Sequence, residues 1–123
     1  MPKKILVVDD DESIRELLMK SLESRGYAMV CAVDGVQGLE KLKSERPDLL
    51  ITDINMPRMD GIELLKRVRA DEELKEMPVI MLTAQTSDEE IITGLSSGAD
   101  HYITKPFTIA QVVMGIQMMF DEK

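Results

Sequence analysis

What most constrains this chain is an alternation. Short aliphatic runs, Ile5 to Val8, Met29 to Val33, Leu49 to Ile51, Val79 to Leu82 and the weaker Tyr102 to Ile103, are separated by longer segments of helical period. Three of the runs are apolar at every position rather than at every second one, the pattern of strands covered on both faces. Between them, Ile14, Leu17, Leu18 and Leu22 form one helical stripe, Val36, Leu39 and Leu42 a second, and Ile62, Leu65 and Val68 a third; Ile109, Val112, Val113 and Ile116 form the last. Five strands alternating with five helices build βαβ units. The expected fold is therefore α/β: a doubly wound, five-stranded parallel sheet with helices on both faces. With no repeat, low-complexity tract or linker, residues 1–123 read as a single domain.

The boundaries are chemically marked. Asp11, Asp34 and Thr108 are placed as helix N-caps, Gly26 as a helix stop, and Pro47 and Pro78 close the segments before strands. One helix fits less well. Residues 87–97, SDEEIITGLSS, offer only Ile91, Ile92 and Leu95 as anchors and carry Gly94 inside, which costs about 1 kcal/mol relative to alanine. This is expected to be the least stable helix.

Length and charge narrow the function. At 123 residues the chain can bury a core without disulfides or a structural metal. Its formal charge of -8, from 23 acidic against 15 basic residues, argues against direct binding to nucleic acid or to an anionic membrane and favours a basic or cationic partner. No apolar run approaches the ~20 residues of a membrane span, and Ile5 to Val8 is too short for a secretory signal, so a soluble, cytoplasmic protein is expected. Cys31, the one cysteine, excludes an internal disulfide and is expected as a small core residue in a reducing compartment.

In a doubly wound sheet, ligands bind beyond the carboxyl ends of the strands. The first strand ends in Asp9, Asp10 and Asp11, the third in Asp53, the fourth in Thr83, and the fifth just before Lys105. Acids gathered on one edge repel, and a hard cation relieves them. Carboxylate and carbonyl oxygens in an open site suit Mg²⁺ better than zinc, which the single cysteine and single histidine could hardly hold. A divalent ion beside an aspartate, a hydroxyl and a lysine is equipment for phosphoryl transfer with the aspartate as nucleophile. Residue types and positions leave open which aspartate attacks.

Four segments then become specific together: ILVVDDDES, LLITDINMPRMDG, PVIMLTA and GADHYITKPF. In this order, over nearly the whole chain, they resemble the signature segments of bacterial response-regulator receiver domains. The resemblance implies a flavodoxin-like sheet of strand order 2-1-3-4-5. It implies that Asp53 accepts a phosphoryl group from a sensor histidine kinase or a phosphotransfer protein. Asp9 and Asp10 would hold Mg²⁺, with Asp53 and the backbone carbonyl of Asn55 completing the protein ligands. Lys105 would contact the phosphoryl group, Thr83 would turn its hydroxyl towards it, and Tyr102 would follow inward. Pro106 would follow a cis bond. An output partner would then meet a changed surface made of the 87–97 helix, the fifth strand and the last helix. Asn55 and Gln85 stand at the variable positions that tune acyl-phosphate lifetime in such domains. Catalysis would be confined to the domain's own phosphorylation and dephosphorylation.

Two other functions compete. VVDDDESI also reads as D-x-D-x-S, the start of an aspartate-nucleophile phosphatase with Asp9 attacking and Asp11 as acid/base, but this leaves the Asp53 loop unexplained. A flavin module would need a Ser/Thr/Gly-rich phosphate loop after the first strand, and more aromatics than two Tyr and two Phe. Asp60 reads as a turn or cap residue and His101 as a surface or structural one. Met114 and Met118, four apart and off the buried stripe, suit either partner docking or half-buried packing.

Overall fold

A computed structural model describes residues 2–84 and 98–120. Strands β1 (Lys4–Val8), β2 (Ala28–Ala32), β3 (Leu49–Asp53), β4 (Val79–Ala84) and β5 (His101–Lys105) form one sheet of order β2-β1-β3-β4-β5, every neighbouring pair parallel. The described helices are α1 (Glu12–Glu23), α2 (Gly35–Glu45), α3 (Gly61–Ala70) and α4 (Ile109–Phe120). The helix expected over 87–97 and the variable position Gln85 lie outside the described residues.

Strands that are apolar at every position feed two cores at once, because successive side chains point to opposite faces. On one face Leu6, Val8, Leu50, Val79 and Met81 pack under α2 and α3 through Leu42, Leu64, Leu65 and Val68. On the other, Ile5, Val7, Leu49, Ile51, Ile80 and Leu82 pack under α1 and α4 through Leu18, Leu22, Val112 and Ile116. Β3 is buried at all five positions, whereas the edge strand β5 buries only Ile103 fully. Its weak sequence signal is that of an edge.

The caps hold. The Asp11 carboxylate accepts from the backbone N–H groups of Ser13 and Ile14, Asp34 from Gln37 and Asp60 from Glu63, while Thr108 and Gln111 bond reciprocally at the start of α4. Three expectations change. Leu17 is exposed, so the stripe of α1 is narrower than its pattern suggested; Val33 lies beyond β2 and is exposed; and Cys31 is half-buried because β2 is the other edge of the sheet. Met114 and Met118 are 63% and 60% exposed, which excludes half-buried packing.

One tie was not legible in the sequence. From the last turn of α3, Arg69 donates to the carbonyls of Lys75, Met77 and Gly98 and to the Asp100 carboxylate, through five bonds of 2.6 to 2.9 Å. All five guanidinium N–H groups are thereby used, in a fork that lysine cannot copy. Arg69→Ala leaves those carbonyls without their donor and is expected to lower stability by about 2 kcal/mol. The urea midpoint measures this, and an unchanged midpoint would show that water replaces the tie.

Candidate functional site

The register sets the site. Val8 of β1 stands beside Thr52 of β3, and Asp53 beside Leu82 of β4, so Asp9 leaves the sheet level with Asp53. Lys105 ends β5 level with Ala84. Residues separated by dozens of positions are thereby brought to the carboxyl edge of the sheet.

Asp53 is only 7% exposed. Its Oδ1 accepts from the Ile54 N–H at 2.9 Å and lies 3.3 Å from the Lys105 ammonium. Asp9 is wholly buried, with Oδ1 accepting from the Asp11 N–H at 2.9 Å and Oδ2 from Lys105 at 3.1 Å. Lys105 thus bridges two carboxylates. Asp10 is exposed at the rim, and each of Asp9, Asp10 and Asp53 offers one oxygen within 4.8 Å of the others.

Electrostatics follow from this crowding. Burial, then the charge of Asp9, lift the Asp53 pKa above 3.8, and the Lys105 ammonium and the Ile54 N–H offset this only in part. Burial works against the Lys105 ammonium, but the charges of Asp53 and Asp9 outweigh it and raise the pKa above 10.5. Among the described residues one ammonium faces three acids here, and the donors are all oxygens. That donor set fits a hard divalent cation such as Mg²⁺ and not a soft or thiophilic one.

The remaining site residues are positioned by their neighbours. Gly61 sits so close to the Asp53 carbonyl oxygen that a Cβ there would overlap it, and the Gly61 N–H bonds the Ile54 carbonyl at 2.8 Å. This folds the loop back under Asp53 and leaves Asn55 exposed at the rim. Thr83 is wholly buried, with its hydroxyl donating to the Ala84 carbonyl at 3.1 Å. Tyr102 is half-buried against the α2–α3 core. The Lys105–Pro106 bond is cis, as the resemblance implied. His101 is half-buried against Gly115 of α4, away from the acidic edge.

Sequence reasoning missed Arg15. Its Nη1 donates to the Asp9 carbonyl at 2.8 Å. The available signal was spacing: helical side chains lean towards the N-terminus, so a long one a turn after the Asp11 cap reaches back to the strand end.

Three comparisons bear on this arrangement. The family profile described as the response regulator receiver domain matches residues 5–117. The chain is 43% identical over 113 residues to the response regulator MprA of Mycobacterium ulcerans (strain Agy99), covering 92% of this chain and 48% of that protein. It spans about half the length of the curated relatives it matches. Among solved structures, the chemotaxis response regulator CheY4 of Vibrio cholerae superposes with a TM-score of 0.91 at 37% identity, covering 97% of this chain and 99% of that one. The receiver domain of the Francisella response regulator 1452 gives 0.88 at 36% identity, with 97% of each chain covered.

Proposed function

The chain belongs to the response regulator receiver domain family, and from that premise we propose that it is a phosphorylatable switch whose acceptor is Asp53. One observation carries the assignment. Oxygens of Asp9, Asp10 and Asp53 gather within 4.8 Å while Lys105 bridges Asp9 and Asp53 at 3.1 and 3.3 Å, on the sheet edge where such folds do their chemistry.

In this reading an Asp53 carboxylate oxygen attacks the phosphorus of a phosphohistidine on a sensor kinase or phosphotransfer protein. A P–O bond forms, the P–N bond breaks, and the imidazole leaves with the electron pair. Asp9, Asp10, Asp53 and the Asn55 carbonyl would hold Mg²⁺, which would supply charge neutralisation on the phosphoryl oxygens. Lys105 then moves from pairing two carboxylates to pairing a phosphoryl oxygen, which its raised pKa keeps it charged to do. Thr83 gives up its bond to the Ala84 carbonyl and donates to the new acceptor. Tyr102, two residues before β5 reaches Thr104, turns inward with it. The added charge shifts the population of states presented by residues 87–97, β5 and α4 to an output protein or domain. The exposed Met114 and Met118 line a groove between α4 and β5 with Tyr102 and Thr104. The acidic chain is not expected to contact nucleic acid itself. Among the described residues no helix is long and apolar enough to cross a membrane; a cytoplasmic site of reaction is proposed from the family alone.

The phosphatase alternative fares worse. It needs Asp9 to attack, yet both Asp9 oxygens are engaged and the side chain is wholly buried. Intact mass after incubation with Mg²⁺ and a small phosphodonor separates the two. The switch predicts one labile phosphoryl group, dependent on Mg²⁺ and absent from Asp53→Asn. A label that persists in Asp53→Asn and vanishes in Asp9→Asn, or multiple turnover of an external phosphoester, sinks the proposal.

A further inference from the structure

We propose that Arg15 is a positioning residue for Mg²⁺: its guanidinium fixes the peptide between Asp9 and Asp10 and so aims the Asp10 carboxylate into the site. This rests on reading the three acids as the Mg²⁺ site. The parallel pairing of β1 with β2 and β3 ends at Val8. Beyond it the Asp9 N–H still bonds the Ala32 carbonyl at 3.2 Å, while the Asp9 carbonyl turns to the Arg15 Nη1 at 2.8 Å. That carbonyl shares its peptide plane with the Asp10 N–H. The same plane holds the Asp10 Cα, so whatever fixes it fixes the base from which the Asp10 side chain departs.

The other two acids do not need this help. Asp53 stands in a strand, and Asp9 is held through both side-chain oxygens. Asp10 is the exposed member of the three, on a two-residue crossing from β1 to the Asp11 cap. Arg15 is anchored on the far side of that crossing, one turn into α1, where its N–H bonds the Asp11 carbonyl at 3.1 Å. Strand end and helix start are thus clamped together, with Asp10 between them.

Charge alone predicts the opposite sign. A guanidinium near a cation site repels the cation, so deleting it should tighten Mg²⁺ binding if Arg15 acts only through its charge. If it acts by positioning, deletion weakens binding, as losing a group that orients a metal ligand does.

The test is Mg²⁺ titration by calorimetry on the whole chain, with melting temperature recorded without Mg²⁺. Arg15→Met is expected to weaken Mg²⁺ by about tenfold, and Arg15→Lys, which keeps a long donor, by about twofold at most. In an Asp10→Asn background Arg15→Met should have no further effect on the residual binding. Unchanged or tighter binding in Arg15→Met overturns the proposal, as does an equal loss in both variants that merely follows the melting temperature. If the parent itself binds no Mg²⁺, or binds it as well after Asp10→Asn, the reading of the acidic site fails and the role of Arg15 with it. If Asp10→Asn abolishes binding but Arg15→Met does not weaken it, the site stands and only the role of Arg15 is lost.

Discussion

Asp53→Asn is expected to abolish phosphoryl uptake completely while raising the melting temperature of the metal-free protein. The first effect follows because the amide oxygen is a poor nucleophile and the neighbouring Asp9 is wholly buried, its oxygens committed to the Asp11 N–H, to Lys105 and to the proposed metal. The second follows from the electrostatics. Burial and the Asp9 charge make the ionised Asp53 unfavourable in the folded state, so its pKa lies above 3.8. Between 3.8 and the raised value the native state binds more protons than the unfolded one, and stability falls as pH rises through that window. The penalty is absent below the window and complete above it. The melting difference between Asp53→Asn and the parent should therefore be near zero in acid and grow to a plateau as pH rises. Lys105 loses a partner at 3.3 Å but keeps Asp9 at 3.1 Å, which limits the loss on that side. Adding Mg²⁺ should raise the parent's melting temperature and scarcely move the variant's, since a ligand stabilises only the state that binds it. A variant that melts below the parent at neutral pH in chelator would contradict this account of Asp53.

Gly61→Ala is expected to destabilise the fold by about 3 kcal/mol or more, against the local expectation. Gly61 is the first residue of α3, and on helix propensity alone alanine there should gain about 1 kcal/mol. The tertiary contact reverses the sign. A Cβ at this position would overlap the Asp53 carbonyl oxygen and come within 2.9 Å of the Ile54 Cα, and both are backbone atoms that cannot swing aside. Relief requires moving the strand end that carries Asp53, so phosphorylation at saturating Mg²⁺ should slow as well. Urea unfolding and the initial rate of labelling measure the two effects. A loss under about 1 kcal/mol with an unchanged rate would show that the 54–60 loop can yield without disturbing Asp53.

Much of this was readable from local pattern. Residues apolar at every position in Ile5 to Val8 required a strand covered on both faces, and the acids that follow had to lie at its carboxyl end. The caps at Asp11, Asp34, Asp60 and Thr108 were chemically marked and are all made. The failures share a cause. Leu17 is apolar but faces solvent, and Cys31 sits among apolar neighbours on an edge strand, because the width of a buried face depends on what packs against it and not on the residues themselves. Β5 was faint for the same reason: an edge strand needs only Ile103 inside.

By itself the sequence determined the alternation of strands and helices, the helix starts, and the presence of an acidic edge, since each rests on periodicities and hydrogen bonds spanning a few residues. It took the resemblance to select Asp53 among the acids there. Only the tertiary structure decided that Lys105 bridges Asp9 and Asp53 from 96 residues beyond Asp9, that Arg69 ties α3 to Gly98 and Asp100, and that Arg15 holds the Asp9 carbonyl. Those contacts depend on the winding order that places β1 between β2 and β3 and brings β5 to the far edge. Long charged side chains carry no periodicity of their own; their partners exist only once the strands have been laid side by side.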